Sequence, residues 1–201
     1  MKRKLVIILT LMICSSFMIS AQTFALTDSF RNSIYNPGPL KPLDSLLKVK
    51  VGDRAPGFSL PSVSGKIISL SDYRDKKIVV LSFVPAAWTP VCSDQWPGYN
   101  IVEELFEEQN AVLLGITVDN IPTLFSWIQQ MGDLWFPVLS DFWPHGAVAD
   151  SFGLLRTDGV AERALVVIDK NGIISYIGVG DINVRPPLEV LIKELQKLNS
   201  K

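Results

Sequence analysis

The 201-residue chain holds two cysteines, Cys14 and Cys92, and Cys92 stands among residues that would make a thiol reactive. The segment runs Phe83-Val84-Pro85-Ala86-Ala87-Trp88-Thr89-Pro90-Val91-Cys92-Ser93-Asp94-Gln95. A strand is expected to end at Pro85, a short loop to follow, and Cys92 to open the first turn of a long helix. Unpaired backbone N–H groups and the positive end of the helix dipole meet there, and both favour thiolate over thiol. Thr89, three residues earlier, can turn its hydroxyl toward the same sulfur. A single thiolate so placed can open an O–O bond, one oxygen going to sulfur to give a sulfenic acid and the other leaving as alkoxide. Fixed donors must face the departing oxygen, and a guanidinium suits that task because it is always charged and its donors lie in a rigid plane.

Other chemistries fit less well. Thiol–disulfide exchange of the Cys-x-x-Cys kind needs a second sulfur to resolve the first. Here Thr89 stands three residues before Cys92 and Gln95 three after. Soft-metal delivery would want two cysteines with a histidine, and His145 is the single histidine. No Cys/His/Asp cluster of ligand spacing accompanies it, so His145 reads as a structural or surface residue and no metal or cofactor is expected. A formal net charge of -1 gives no electrostatic case for nucleic acid.

The elements that must position Cys92 are legible as patterns. Lys77–Val84 is an apolar, β-branched stretch of the kind buried on both faces of a sheet. From Cys92 to Gln109 apolar residues recur at helical spacing, with Pro97-Gly98 predicting a kink. Ala111–Val118 predicts a second strand, Pro122–Met131 a helix, Phe136–Ser140 a strand and Ala147–Phe152 a short helix. Arg163–Asp169 and Ile173–Val179 flank Lys170-Asn171-Gly172, a hairpin turn with glycine where positive φ is needed. Pro187 opens a last amphipathic helix through Leu198. This order predicts an α/β chain with a thioredoxin-like fold, a central mixed β-sheet flanked by helices. Trp88, Trp96, Trp127, Trp135 and Trp143 read mostly as packing residues, Trp135 and Trp143 alternatively as an exposed patch for dimer contact.

The Pro-x-x-x-Thr-x-x-Cys spacing of Pro85, Thr89 and Cys92 resembles the peroxiredoxins of the alkyl hydroperoxide reductase / thiol-specific antioxidant family. The resemblance runs from about residue 48 to 198. It includes Val51-Gly52-Asp53-Arg54-Ala55-Pro56-Gly57-Phe58-Ser59-Leu60, Ser140-Asp141, Arg163-Ala164-Leu165-Val166-Val167-Ile168-Asp169 and Asp181-Ile182-Asn183-Val184-Arg185-Pro186-Pro187. It implies a thiol-dependent peroxidase acting on hydrogen peroxide or organic hydroperoxides. Cys92 then matches the peroxidatic cysteine, Thr89 its hydroxyl partner, Pro85 a shield over the site and Arg163 the activating guanidinium. Trp88 stands where phenylalanine or tyrosine is more usual, and Gln95 where many relatives carry glutamate. The resemblance further implies the one-cysteine type, whose sulfenic acid is reduced by an external thiol or thioredoxin-like reductant, and a homodimer. A peroxide sensor without turnover shares all these features and stays open, as does an envelope disulfide oxidoreductase of the same fold.

The N-terminus carries an address. Lys2, Arg3 and Lys4 precede an apolar run from Leu5 to Ile19 softened by Thr10, Ser15 and Ser16, and small residues follow at Ser20, Ala21 and Ala25. This is the order of a secretory signal, and the run falls short of the ~20 apolar residues of a membrane span. Residues 1–25 are therefore expected as a signal peptide cut after Ala21 or Ala25, an uncut anchor being the alternative. Residues 26–48 follow as a Pro-punctuated N-terminal extension with a short helix over Leu43–Lys48, and 49–201 as the single domain. Export to the periplasm or cell envelope would remove Cys14 and leave Cys92 without an internal partner.

Overall fold

The computed structural model describes residues 27–199, so the expected signal peptide lies outside the described residues. Among the described residues seven strands form two sheets. A small hairpin pairs β1 (Ser59–Pro61) with β2 (Ile67–Ser69). The main sheet contains β3 (Ile78–Phe83), β4 (Ala111–Thr117), β5 (Val138–Ser140), β6 (Ala164–Ile168) and β7 (Ile174–Val179), in the order β5-β4-β3-β6-β7. β3, β4 and β5 run parallel, β6 runs against them, and β7, antiparallel to β6, returns to their direction, so the sheet is mixed. The helices are α1 (Asp28–Ser33), α2 (Pro90–Gly98), α3 (Glu103–Glu108), α4 (Ile121–Met131), α5 (Ala147–Phe152) and α6 (Leu188–Asn199).

Every residue of β3 is buried, as its uninterrupted apolar character requires of a central strand. Strand geometry divides those residues between two cores. Val79, Leu81 and Phe83 meet Leu114, Ile116, Val166 and Phe152 of α5 on one face. Ile78 and Val80 meet Leu113, Leu165, Trp96 of α2, Trp127 of α4 and Leu195 of α6 on the other. Ser82 points to the second face, where its hydroxyl accepts from Trp96 Nε1 and Gln95 Nε2, both at 3.2 Å.

The register brings the chemistry together. β3 pairs antiparallel with β6 so that Phe83 sits opposite Ala164. The loop that leaves the C-terminal end of β3 toward Cys92 therefore starts beside Arg163, the residue that enters β6. No pattern within either segment contains this proximity; the antiparallel pairing creates it.

Three local expectations are corrected. The helix starts at Pro90, two residues before Cys92, with Thr89 at the N-cap, proline being pre-set for a first helical position. It does not run unbroken to Gln109: α2 stops at Gly98, Tyr99–Val102 forms a 3-10 turn, and α3 follows. Pro97 lacks the N–H that would continue the α-helical ladder. Leu43–Lys48 is not a helix. Its leucines find no apolar surface, Leu46 being 87% exposed, and its backbone N–H groups donate elsewhere: Asp44 and Ser45 to Glu162, and Lys48 to the Phe152 carbonyl.

Candidate active site

Cys92 lies on the first turn of α2 and is wholly buried. Arg163, 2% exposed, donates Nη2–H to Cys92 Sγ at 3.4 Å. Its other hydrogen bonds go to neutral oxygens. Nη1 bonds Gln95 Oε1 at 2.6 Å, and Nε and Nη2 bond the Ile182 carbonyl at 3.1 and 2.9 Å. Among the described residues no carboxylate pairs with Arg163. Glu162, its chain neighbour, instead forms a buried ion pair with Arg156 at 2.9 Å.

Gln95 is fully buried, and its amide orientation is fixed from both ends. Its oxygen takes the Arg163 proton while Nε2 donates to Tyr99 Oη at 2.8 Å and to Ser82 Oγ. Burial pushes the Tyr99 phenol above its ordinary range, so it remains a protonated hydroxyl beside the guanidinium network. The chain from Tyr99 through Gln95 to Arg163 and Cys92 is a closed polar network inside an aromatic core.

Thr89 occupies the cap position, but its hydroxyl donates to the Ala86 carbonyl at 2.8 Å. Its one proton is spent there, so toward Cys92 and the cavity the Thr89 oxygen is an acceptor, not the donor to sulfur expected from spacing. The loop itself is pinned. Asp119 Oδ2 accepts from Ala87 N–H at 2.8 Å and from Thr117 Oγ1 at 2.7 Å. Trp88 sits at φ 61°, a left-handed conformation costly for a bulky side chain. Tyr35 N–H donates to its carbonyl at 2.8 Å, and the Phe30 ring packs against its indole.

Pro85, Thr89 and Arg163 together line a cavity of about 900 Å³. Cys92 lies beside it, in contact with Arg163. Three of the four residues singled out by sequence thus share one cavity, and the fourth touches Arg163. Asp119 and the Ile182 carbonyl were not legible beforehand, since each comes from another loop, and Tyr99, one turn after Gln95 at the end of α2, carries no sequence signal of a polar role. His145 bonds the Gly159 carbonyl at 2.6 Å and is not among the residues bonded to Arg163 or Gln95. Trp135 is not part of an exposed patch: it is half-buried against Phe106 and Phe136, whereas Trp143 is exposed.

The model of the AhpC/TSA family matches residues 51–177. The chain belongs to the AhpC/TSA family of peroxiredoxins. Over 129 residues this peroxiredoxin is 37% identical to alkyl hydroperoxide reductase E of Mycobacterium tuberculosis, a span covering 64% of this chain and 84% of that protein. It is 33% identical over 158 residues to the chloroplastic 2-Cys peroxiredoxin BAS1 of Hordeum vulgare, covering 74% of each. Among solved structures, the reduced 2-Cys peroxiredoxin of Plasmodium vivax superposes with a TM-score of 0.71 at 26% identity, covering 75% of this chain and 82% of that one. The AhpC structure of Mycobacterium tuberculosis superposes with a TM-score of 0.69 at 24% identity, covering 76% and 94%, and supports the fold. The thioredoxin-like α/β fold and the peroxiredoxin assignment both hold.

Proposed function

We propose that this peroxiredoxin reduces hydroperoxides by a one-cysteine cycle in which Cys92 is the nucleophile and Arg163 the charge-stabilising donor. The observation that carries the reading is the buried contact of Arg163 Nη2 with Cys92 Sγ, with no carboxylate on the guanidinium. Of the groups bonded to Arg163, only Cys92 can carry negative charge, so the guanidinium faces the attacking sulfur. The thiolate attacks one oxygen of ROOH, the O–O bond breaks, and the departing alkoxide takes a proton to leave as ROH. As charge moves from sulfur to the leaving oxygen, Arg163 can follow it with a donor that no other anion holds. Pro85 screens the loop face of the cavity, and Thr89 supplies the acceptor that orients the peroxide O–H.

Recycling uses an outside thiol. Cys14 and Cys92 are the two cysteines of the chain, and the signal-like start of residues 1–25 supports export with loss of Cys14. An external thiol condenses with the Cys92 sulfenic acid, releasing water and forming a mixed disulfide. A second thiol then displaces the Cys92 thiolate and carries away the disulfide. An exported location in the periplasm or cell envelope and a homodimeric state belong to the same proposal.

Stopped-flow mixing of the reduced protein with hydrogen peroxide, followed by tryptophan fluorescence and sulfenic acid labelling, tests the first half-reaction. Oxidation of Cys92 far faster than that of free cysteine is expected, and a rate no faster than free cysteine would sink the assignment. Mass spectrometry of the protein oxidised with small thiol present should show a mixed disulfide at Cys92. N-terminal sequencing of protein recovered from cells checks the cleavage.

A further inference from the structure

The cavity beside Cys92 has a wall that lies outside the family match. Residues Tyr35 to Leu40 line it, and they precede the matched span 51–177. This stretch of the N-terminal extension is clasped on both sides of Arg163. On one side Glu162, wholly buried, accepts the backbone N–H groups of Asp44 and Ser45 at 2.6 and 2.9 Å. Its other oxygen holds Arg156, which in turn donates to the Lys41 carbonyl at 3.0 Å. On the other side Asn183 brackets Leu40, accepting its N–H and donating to its carbonyl, each at 2.8 Å. Ile182 N–H meets the Pro42 carbonyl at 3.1 Å, while the Ile182 carbonyl takes two donors of Arg163. The buried Glu162–Arg156 pair, which the peroxide chemistry does not use, thus fastens the extension to the backbone that carries Arg163.

Size and surface say what the wall faces. The cavity of about 900 Å³ far exceeds hydrogen peroxide, whose bulk is about twice the ~30 Å³ share of a water. It falls in the range of sites that enclose a whole organic ligand. The extension contributes Pro37, Pro39 and Leu40, and Val160 and Ile182 add further apolar surface. Pro37 and Pro39 carry no N–H and have fixed φ, which keeps that surface apolar and stiff. The polar lining comprises Arg163 and Thr89, next to the thiol, together with Asn36, Asp158 and Asn183.

We propose that the N-terminal extension is a substrate-selecting wall: Tyr35–Leu40 hold the apolar organic group of a hydroperoxide while Arg163 and Cys92 act on its –OOH end. The proposal rests on the peroxidase reading of Cys92. The reaction is unchanged, ROOH and the thiolate giving ROH and the sulfenic acid with uptake of one proton; the wall acts on R.

The test is the ratio of the rates at which cumene hydroperoxide and hydrogen peroxide oxidise Cys92 in the full reduced chain. A ratio of at least ten is expected for the native protein. Leu40→Asp, which puts a charge on the wall, should lower that ratio about tenfold or more. Tyr35→Asp should shift it in the same direction from a side chain 70% exposed, where a charge does not threaten folding. Leu46→Ser, on the extension but outside the cavity lining, should leave the ratio unchanged. A native ratio at or below one, a ratio that neither wall variant moves, or an equal slowing with both peroxides would overturn the proposal. Absence of reaction with either peroxide is a different signature: it removes the peroxidase reading, and the wall's role with it.

Discussion

The site is built on a buried arginine whose charge is answered by neutral oxygens and one sulfur. Arg163→Ala is expected to slow Cys92 oxidation roughly 30- to 1000-fold, the counterpart of about 2–4 kcal/mol for loss of an oxyanion-type donor. Stopped-flow fluorescence of the variant measures it, and a native rate would remove Arg163 from the mechanism. Gln95 does not touch the sulfur; it positions the guanidinium by standing between it and Tyr99 Oη. Gln95→Leu leaves the Nη1 donor buried and unpaired, so a loss of about 1–3 kcal/mol in unfolding free energy is expected by urea denaturation. Much of this was legible: Cys92 and Thr89 were singled out by type and spacing, and Pro85 and Arg163 by the family resemblance. The hydroxyl direction of Thr89 was not, because a nearby carbonyl, Ala86, captured its proton in a loop whose path no pattern sets.

At the scale of elements, the site depends on how closely α2 can approach the sheet. Trp96, wholly buried one turn beyond Cys92, lies over Gly115 in β4 and anchors its Nε1 on Ser82 of β3. A Cβ at position 115 would stand 2.8 Å from Trp96 Cζ2. Both neighbours are in the core, so Gly115→Ala is expected to cost about 1–3 kcal/mol by overpacking. The midpoint of thermal unfolding should fall accordingly, and Cys92 oxidation should slow because α2 carries the sulfur; an unshifted midpoint would refute the packing argument. Strongly periodic segments such as β3, α4, α5 and the β6–β7 hairpin were readable because burial on a fixed face imposes their pattern. The β1–β2 pair was missed because three-residue strands of mixed polarity carry too short a period to see. The helix expected at Leu43–Lys48 failed for a tertiary reason, its backbone donors being taken by Glu162 and Phe152.

Across the whole molecule, two hydrogen-bonded carboxylates respond to pH with opposite sign. Asp44 fastens the N-terminal extension. The Lys41 ammonium and then the Thr157 hydroxyl and N–H hold its carboxyl well below the usual range. Its contribution is therefore complete above its ordinary value of 3.8 and is lost as pH falls below it. Asp141 is buried at the start of α5, and desolvation raises it above the same value, although the N–H groups of Val148 and Ala149 offset part of that shift. The folded state then holds a proton that the unfolded chain has released, so its contribution declines as pH rises from 3.8 toward its own higher midpoint. Urea denaturation from pH 3 to 7 separates the two. The advantage of the native chain over Asp44→Asn should shrink as the medium is acidified below about pH 4, the region where an ordinary Asp protonates. The advantage over Asp141→Asn should shrink in the other direction, as pH is raised from there. Because Asp44 bonds the extension to the 157 loop, its protonation should also release that segment before global unfolding, exposing the amides of Asp44 and Ser45 to hydrogen exchange. Simultaneous loss of protection in β3 and in the extension at low pH would show that the clasp and the sheet unfold as one unit, and would refute this prediction.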